Sequence, residues 1–222
     1  MTRARPASAT RVVSIDVGDA VLAGDLSVPD GAPGTVVFAH GSGSSRHSPR
    51  NRQVAAALHE AGLGTLLMDL LTDAEEGADR RTGHLRFDIG LLARRLAGTA
   101  RWLADRPEPA HRSLGYFGAS TGGGAALVAA AEHPGGIGAV VSRGRRPDLA
   151  GDALPAVAAP TLLIVGGEDH AVLDLNRQAL ERITAEKQLA VVPGATHLFE
   201  EPGALDHVAR LATDWFSRHL GP

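Results

Sequence analysis

The sequence predicts an α/β fold, in which a mostly parallel sheet carries an N-terminal antiparallel hairpin and helices on both faces. Short apolar runs recur from residue 35 onward, each ended by Gly or a polar cluster and followed by a segment with helical apolar spacing. Such alternation of buried strands with amphipathic helices is the signature of a parallel sheet covered on both sides. Ahead of these runs, Arg11 to Val28 reads as two strands around Gly18-Asp19, a strong hairpin signal.

The predicted strands after the hairpin are Thr35–Ala39, Gly64–Met68, Ser113–Phe117, Ile137–Val141, Thr161–Val165 and Leu189–Val192. Between them, Ser48 offers an N-cap and Pro49 the first helical position of a segment that runs to Glu60 and stops at Ala61-Gly62. Phe87, Ile89, Leu91, Leu92, Leu96 and Trp102 mark a long helix, and Leu205, Val208, Leu211, Trp215 and Phe216 mark the last one. Both stripes are read as core. The polar stretch Thr72–Gly83 is expected as a surface loop and partial lid. No large cap domain is expected. The organisation is a disordered tail over residues 1–10 and a single domain over 11–222, with no internal repeat.

Composition narrows the chemistry. The 222 residues are 44% hydrophobic and 21% charged, with no cysteine. That balance suits a globular core without staples, and it excludes disulfides, zinc-thiolate sites, iron–sulfur clusters and a thiol nucleophile. A net charge of −3 with 5 Phe, 2 Trp and 1 Tyr gives no basis for a nucleic-acid surface or an anionic membrane as partner. The basic N-terminus lacks an apolar core and no run of ~18 apolar residues occurs, so a cytoplasmic protein acting on small molecules is expected.

The strongest motif is Gly118-Ala119-Ser120-Thr121-Gly122, which follows a predicted strand and opens the helical stretch Gly123 to His133. This is the strand-turn-helix setting of a nucleophile elbow, where glycines two residues either side relieve a turn too tight for side chains. A serine hydroxyl needs a base, and the base an orienting acid. The next two strand ends supply both. Asp169 follows Thr161–Val165, and His197 follows Leu189–Val192, so the chain order is serine, acid, histidine, as in an α/β-hydrolase. Glu168 and Asp174 compete with Asp169 for the acid's role. The oxyanion hole should use the Thr121 N–H and a second amide from the loop His40-Gly41-Ser42-Gly43-Ser44-Ser45. Ser42 is the first choice and Gly43 the alternative.

The loop at His40-Gly41, the Gly118–Gly122 elbow, the Gly-Gly-Glu-Asp169 turn and Gly-Ala-Thr-His197 together resemble the small α/β-hydrolases related to dienelactone hydrolases, over about residues 11 to 220. His40–Asn51, Arg86–Ile89 and Ser142–Leu149 look like a subgroup sometimes joined to a phosphoribosyltransferase domain, which is not read in this sequence. The resemblance implies an eight-stranded sheet and hydrolysis of esters or lactones without a cofactor or metal. Dienelactone hydrolases proper use cysteine, whereas serine stands at this elbow, which argues against dienelactone itself as substrate.

Arg46, Arg50, Arg143, Arg145 and Arg146 gather at two predicted strand ends. With His40 they are possible substrate contacts, through guanidinium recognition of a carboxylate or phosphate. Solvated surface charge is the commoner role of such residues. Three other functions remain open from sequence alone. One is a non-catalytic binding module, another a thioesterase or acyltransferase. The third is a dinucleotide-binding βαβ unit built on Gly41-Ser-Gly43 and Asp69, in which Arg46 stands where the third glycine belongs. Either a monomer or a homodimer is compatible with these features.

Overall fold

The computed structural model describes residues 9–107, 113–144 and 146–221. Most of the tail expected at 1–10, and Arg145, lie outside them. β1 (Arg11–Asp16) and β2 (Val21–Ser27) form the hairpin, paired from Arg11↔Leu26 to Asp16↔Val21. Gly18 makes its turn possible with φ 95°, and its N–H donates to Asp16 Oδ1 at 2.9 Å. β3 (Thr35–Ala39), β4 (Gly64–Met68), β5 (Leu114–Ala119), β6 (Ala139–Arg143), β7 (Thr161–Gly166) and β8 (Lys187–Val192) complete an eight-stranded sheet of order β1-β2-β4-β3-β5-β6-β7-β8. β3 to β8 run parallel, and β2 is antiparallel to β4.

Every residue of β3, β4, β5, β6 and β7 is buried. Two helical layers cause this. On one face α1 (Pro49–Glu60) and α6 (Ala204–His219) bring Leu58, Val208 and Phe216 against Phe38, Phe117 and Ile164. On the other, α3 (Ile89–Ala104), α4 (Thr121–Glu132) and α5 (His170–Arg182) bring Leu96, Leu127 and Ala179 against Val37, Tyr116 and Leu163. Each buried Leu or Phe contributes roughly 1.5–3 kcal/mol of transfer free energy. Among the described residues no helix is long and apolar enough to cross a membrane.

Three local expectations are corrected. The stretch expected as a loop at Thr72–Gly83 is mostly helix, α2 (Asp73–Thr82). Thr72 and Glu75 form a reciprocal capping box, with the Glu75 N–H donating to Thr72 Oγ1 at 3.2 Å and the Thr72 N–H to Glu75 Oε2 at 2.8 Å. Gly83 ends the helix at φ 65°. Only Asp79 of this helix is buried, so it has almost no apolar stripe by which to be recognised. Phe87, expected in the core, is 59% exposed in a 3-10 turn (Leu85–Phe87), because α3 starts only after Asp88 caps the Leu91 N–H at 2.9 Å. β5 starts one residue and ends two residues later than expected, and β6 starts and ends two residues later, since pairing continues through Ala119↔Arg143. That shift places Arg143 inside the sheet.

Candidate active site

β5 delivers Ser120 to the C-terminal edge of the sheet, and α4 begins one residue later. Between them Ser120 adopts φ 56°, ψ −124°, a conformation that L-residues rarely take and that marks functional sites when the surroundings enforce it. Here the Ser120 N–H donates to Arg143 O at 3.1 Å, and the Gly123 N–H to Ser120 O at 2.9 Å. The flanking backbones leave no room for side chains. A Cβ on Gly122 would lie 2.3 Å from Ala39 O, and one on Gly41 would lie 2.9 Å from Ser120 Cβ.

The residues expected as acid and base are brought together by a zipped pair of loops. The Gly167 N–H donates to Val192 O at 2.9 Å and the Glu168 N–H to Ala195 O at 3.0 Å. Across this seam Asp169 Oδ2 lies 2.9 Å from His197 Nδ1. Asp169 occupies the N-cap of α5, yet its side chain makes no capping bond. The competing carboxylates are engaged elsewhere. Asp174 pairs with Arg177 at 3.0 Å, and Glu168 is more than half exposed beside His170. Thr196 anchors the histidine loop through its N–H and hydroxyl, both donated to Glu201 Oε1. These bonds hold that carboxyl below its ordinary range.

Ser120 and His197 face one cavity of about 530 Å³, also bordered by Ser42, Arg50, Asn51 and Arg143. The two predicted oxyanion donors meet at its side. Thr121 carries the first N–H of α4, one of the amides a helix leaves unpaired, and it shares a narrow void of about 10 Å³ with Ser42 and Gly43. Ser42 borders both spaces, whereas Gly43 borders only the narrow one, beside Arg86.

Two expected substrate contacts do not border the 530 Å³ cavity. His40 is 6% exposed, and both ring nitrogens are occupied by backbone. The Leu70 N–H donates to Nε2 at 3.1 Å, so the proton sits on Nδ1, which donates to Gly41 O at 2.9 Å. Burial lowers its pKa, opposed by the Gly41 bond and by Asp69 and Glu76. His40 therefore braces the loop that carries Ser42. Arg46 does not border the 530 Å³ cavity. Its guanidinium pairs with Asp69 and Asp25, and its N–H donates to Asp69 Oδ1 at 2.7 Å. The same contacts engage the carboxylate that a dinucleotide site would need.

Arg143 does border the cavity, and it is buried rather than solvated, at 7% exposed. Phe199, which sequence reasoning passed over, sits at φ 56° with its ring centroid 5.6 Å from the Arg143 guanidinium carbon. An unfavourable conformation of a non-glycine residue leaves no trace in residue type. Among the described residues no three His, Asp or Glu side chains are placed to hold a metal ion.

A family model described as the dienelactone hydrolase family matches residues 19–220. The chain belongs to that family. A crystal structure of a dienelactone hydrolase from Anabaena variabilis is 61% identical, with a TM-score of 0.94, and the match covers 96% of this chain and 98% of that one. A Mycobacterium tuberculosis protein provisionally named a phosphoribosyl transferase is 60% identical over 211 residues, 95% of this chain. This dienelactone hydrolase family member spans about half the length of that relative, 47%. Est1E from Butyrivibrio proteoclasticus shares the fold at 15% identity and a TM-score of 0.76, over 94% and 98% of the two chains. Membership of the family supports a hydrolase.

Proposed function

We propose that this protein is a serine hydrolase that cleaves small carboxylic esters or lactones through an acyl-enzyme. The observation that carries the reading is the strained Ser120 facing the same cavity as a histidine held by Asp169. With Nδ1–H donated to the Asp169 carboxylate, the lone pair of His197 is on Nε2, where it can take the Ser120 proton as the hydroxyl attacks the ester carbonyl. The Thr121 and Ser42 amides then hold the oxyanion, each worth about 10²–10³ in kcat. His197 returns the proton to the leaving alcohol, and afterwards draws a proton from water as it attacks the acyl-enzyme. The cavity, with no large cap over it among the described residues, suits small substrates. A fluorophosphonate probe tests the reading: it should label wild type at Ser120, with labelling lost in Ser120→Ala and slowed in His197→Ala. Labelling that persists in Ser120→Ala overturns it.

A further inference from the structure

Arg143 is a buried cation with no anionic partner among the described residues. It is 7% exposed, its Nε and Nη1 have no hydrogen-bond partner among the described residues, and no described carboxylate lies within ion-pair distance. Several of its other buried or half-buried arginines do reach a carboxylate. Arg95, 2% exposed, reaches Glu75 at 2.9 Å, and Arg46 and Arg86 each hold an aspartate. A guanidinium removed from water with no countercharge is costly, so its presence beside a nucleophile points to a partner that arrives from outside.

The surroundings fix where that partner would sit. Arg143 is the strand residue paired with Ala119, its carbonyl accepts the Ser120 N–H at 3.1 Å, and it borders the cavity that Ser120 and His197 face. Phe199 lies against the guanidinium with 5.6 Å from ring centroid to Cζ. The next residue, Gly144, packs on the His197 ring, where a Cβ would be 3.3 Å from Cε1. Burial, with repulsion from Arg50, brings the Arg143 pKa down to about 10, so the group is charged at neutral pH. Arg50 adds a second cation at the rim, partly offset by Glu200 at 3.1 Å.

We propose that Arg143 is a specificity-determining residue that seats an oxyanion substituent, carboxylate or phosphate, of a small ester whose carbonyl lies at Ser120. The planar fork of a guanidinium matches either group, and Arg50 supplies the outer charge. This rests on the serine hydrolase reading above.

The test compares 4-nitrophenyl esters of similar length: the neutral valerate, the anionic hemiglutarate and a 3-phosphonopropionate. Wild type should show kcat/KM at least about 10-fold higher for one of the anionic esters, and whichever is faster identifies the source of the anion. Arg143→Met should lose about 10²-fold or more on that ester, at least about 10-fold beyond any loss on valerate, with part restored in Arg143→Lys. Surface variant Arg177→Met should match wild type on all three. A wild-type preference for valerate, or equal losses on all esters in Arg143→Met, overturns the proposal. Should Arg143→Met fail to fold, competitive inhibition of wild-type valerate hydrolysis by glutarate or inorganic phosphate decides. A Ki below about 1 mM supports the subsite, and no inhibition at about 50 mM overturns it. If no ester is turned over and Ser120 resists the fluorophosphonate, the hydrolase reading fails by itself. Titration calorimetry of glutarate and phosphate into wild type and Arg143→Lys then decides the anion subsite, saturable wild-type binding weakened about 10-fold or more in Arg143→Lys supporting it and no binding overturning it.

Discussion

His197 Nδ1 lies 2.9 Å from Asp169 Oδ2, although 28 residues separate the two in the chain. The contact uses a side chain of N-cap type on an imidazole instead of on its own helix, and it leaves Nε2 as the ring's only basic nitrogen. Asp169→Asn should therefore keep the geometry and lose the tautomer, lowering kcat on a 4-nitrophenyl ester by about 10³–10⁴. Glu168→Gln and Asp174→Asn should stay within about 3-fold of wild type. A loss at Glu168→Gln as deep as that at Asp169→Asn would reassign the acid.

Gly122→Ala and Gly77→Ala should move stability in opposite directions. A methyl at residue 122 meets the Ala39 carbonyl oxygen at 2.3 Å and that of His40 at 2.6 Å, so β3 and the elbow must separate. A loss of about 2–3 kcal/mol is expected, with activity falling alongside it. At Gly77, inside α2, the nearest atom is Arg80 Nη2 at 3.5 Å, an ordinary contact. Alanine there should add roughly 0.5–1 kcal/mol by restricting the unfolded chain and favouring the helix. Urea unfolding of both variants checks the signs.

His40 should give the fold a pH dependence. Burial lowers its native pKa below the ordinary 6.5, so the unfolded chain takes up a proton that the native state refuses. This contribution to stability is complete above pH 6.5 and is lost as pH falls from there through the lowered native value. Wild type should lose more stability than His40→Gln between about pH 7.5 and 5, measured as the shift in urea midpoint. Equal losses in the two proteins would show that His40 titrates normally.

Arg143→Met should be more stable than wild type, by about 1–3 kcal/mol, since a desolvated cation without a countercharge is replaced by an apolar chain of similar length. For a domain of this size each kcal/mol moves Tm by about 2–4 °C. A residue that served only to hold the fold would show a drop in Tm instead.

The elbow and the order serine, acid, histidine were legible in the chain because glycine spacing and strand ends are local signals. The capping box Thr72-x-x-Glu75 was equally local, yet α2 went unrecognised because its composition carries no apolar stripe. The arginines separated differently from what their positions suggested. Arg46, close to the oxyanion loop in sequence, turns to Asp69 and Asp25, while Arg143 turns into the cavity. Both follow a strand end as predicted from sequence, and no local pattern distinguishes them.

By itself the sequence determined the class of fold, the hairpin and the strand-turn-helix around Ser120, and the absence of cysteine excluded a thiol nucleophile. Tertiary structure alone decided which carboxylate meets His197, that His40 braces a loop from beneath, and that Arg143 is buried with no carboxylate partner among the described residues. Backbone periodicity and turn chemistry are written within a few residues. Burial and pairing depend on which distant loops the sheet brings within 3 Å, and that is set by strand order and register.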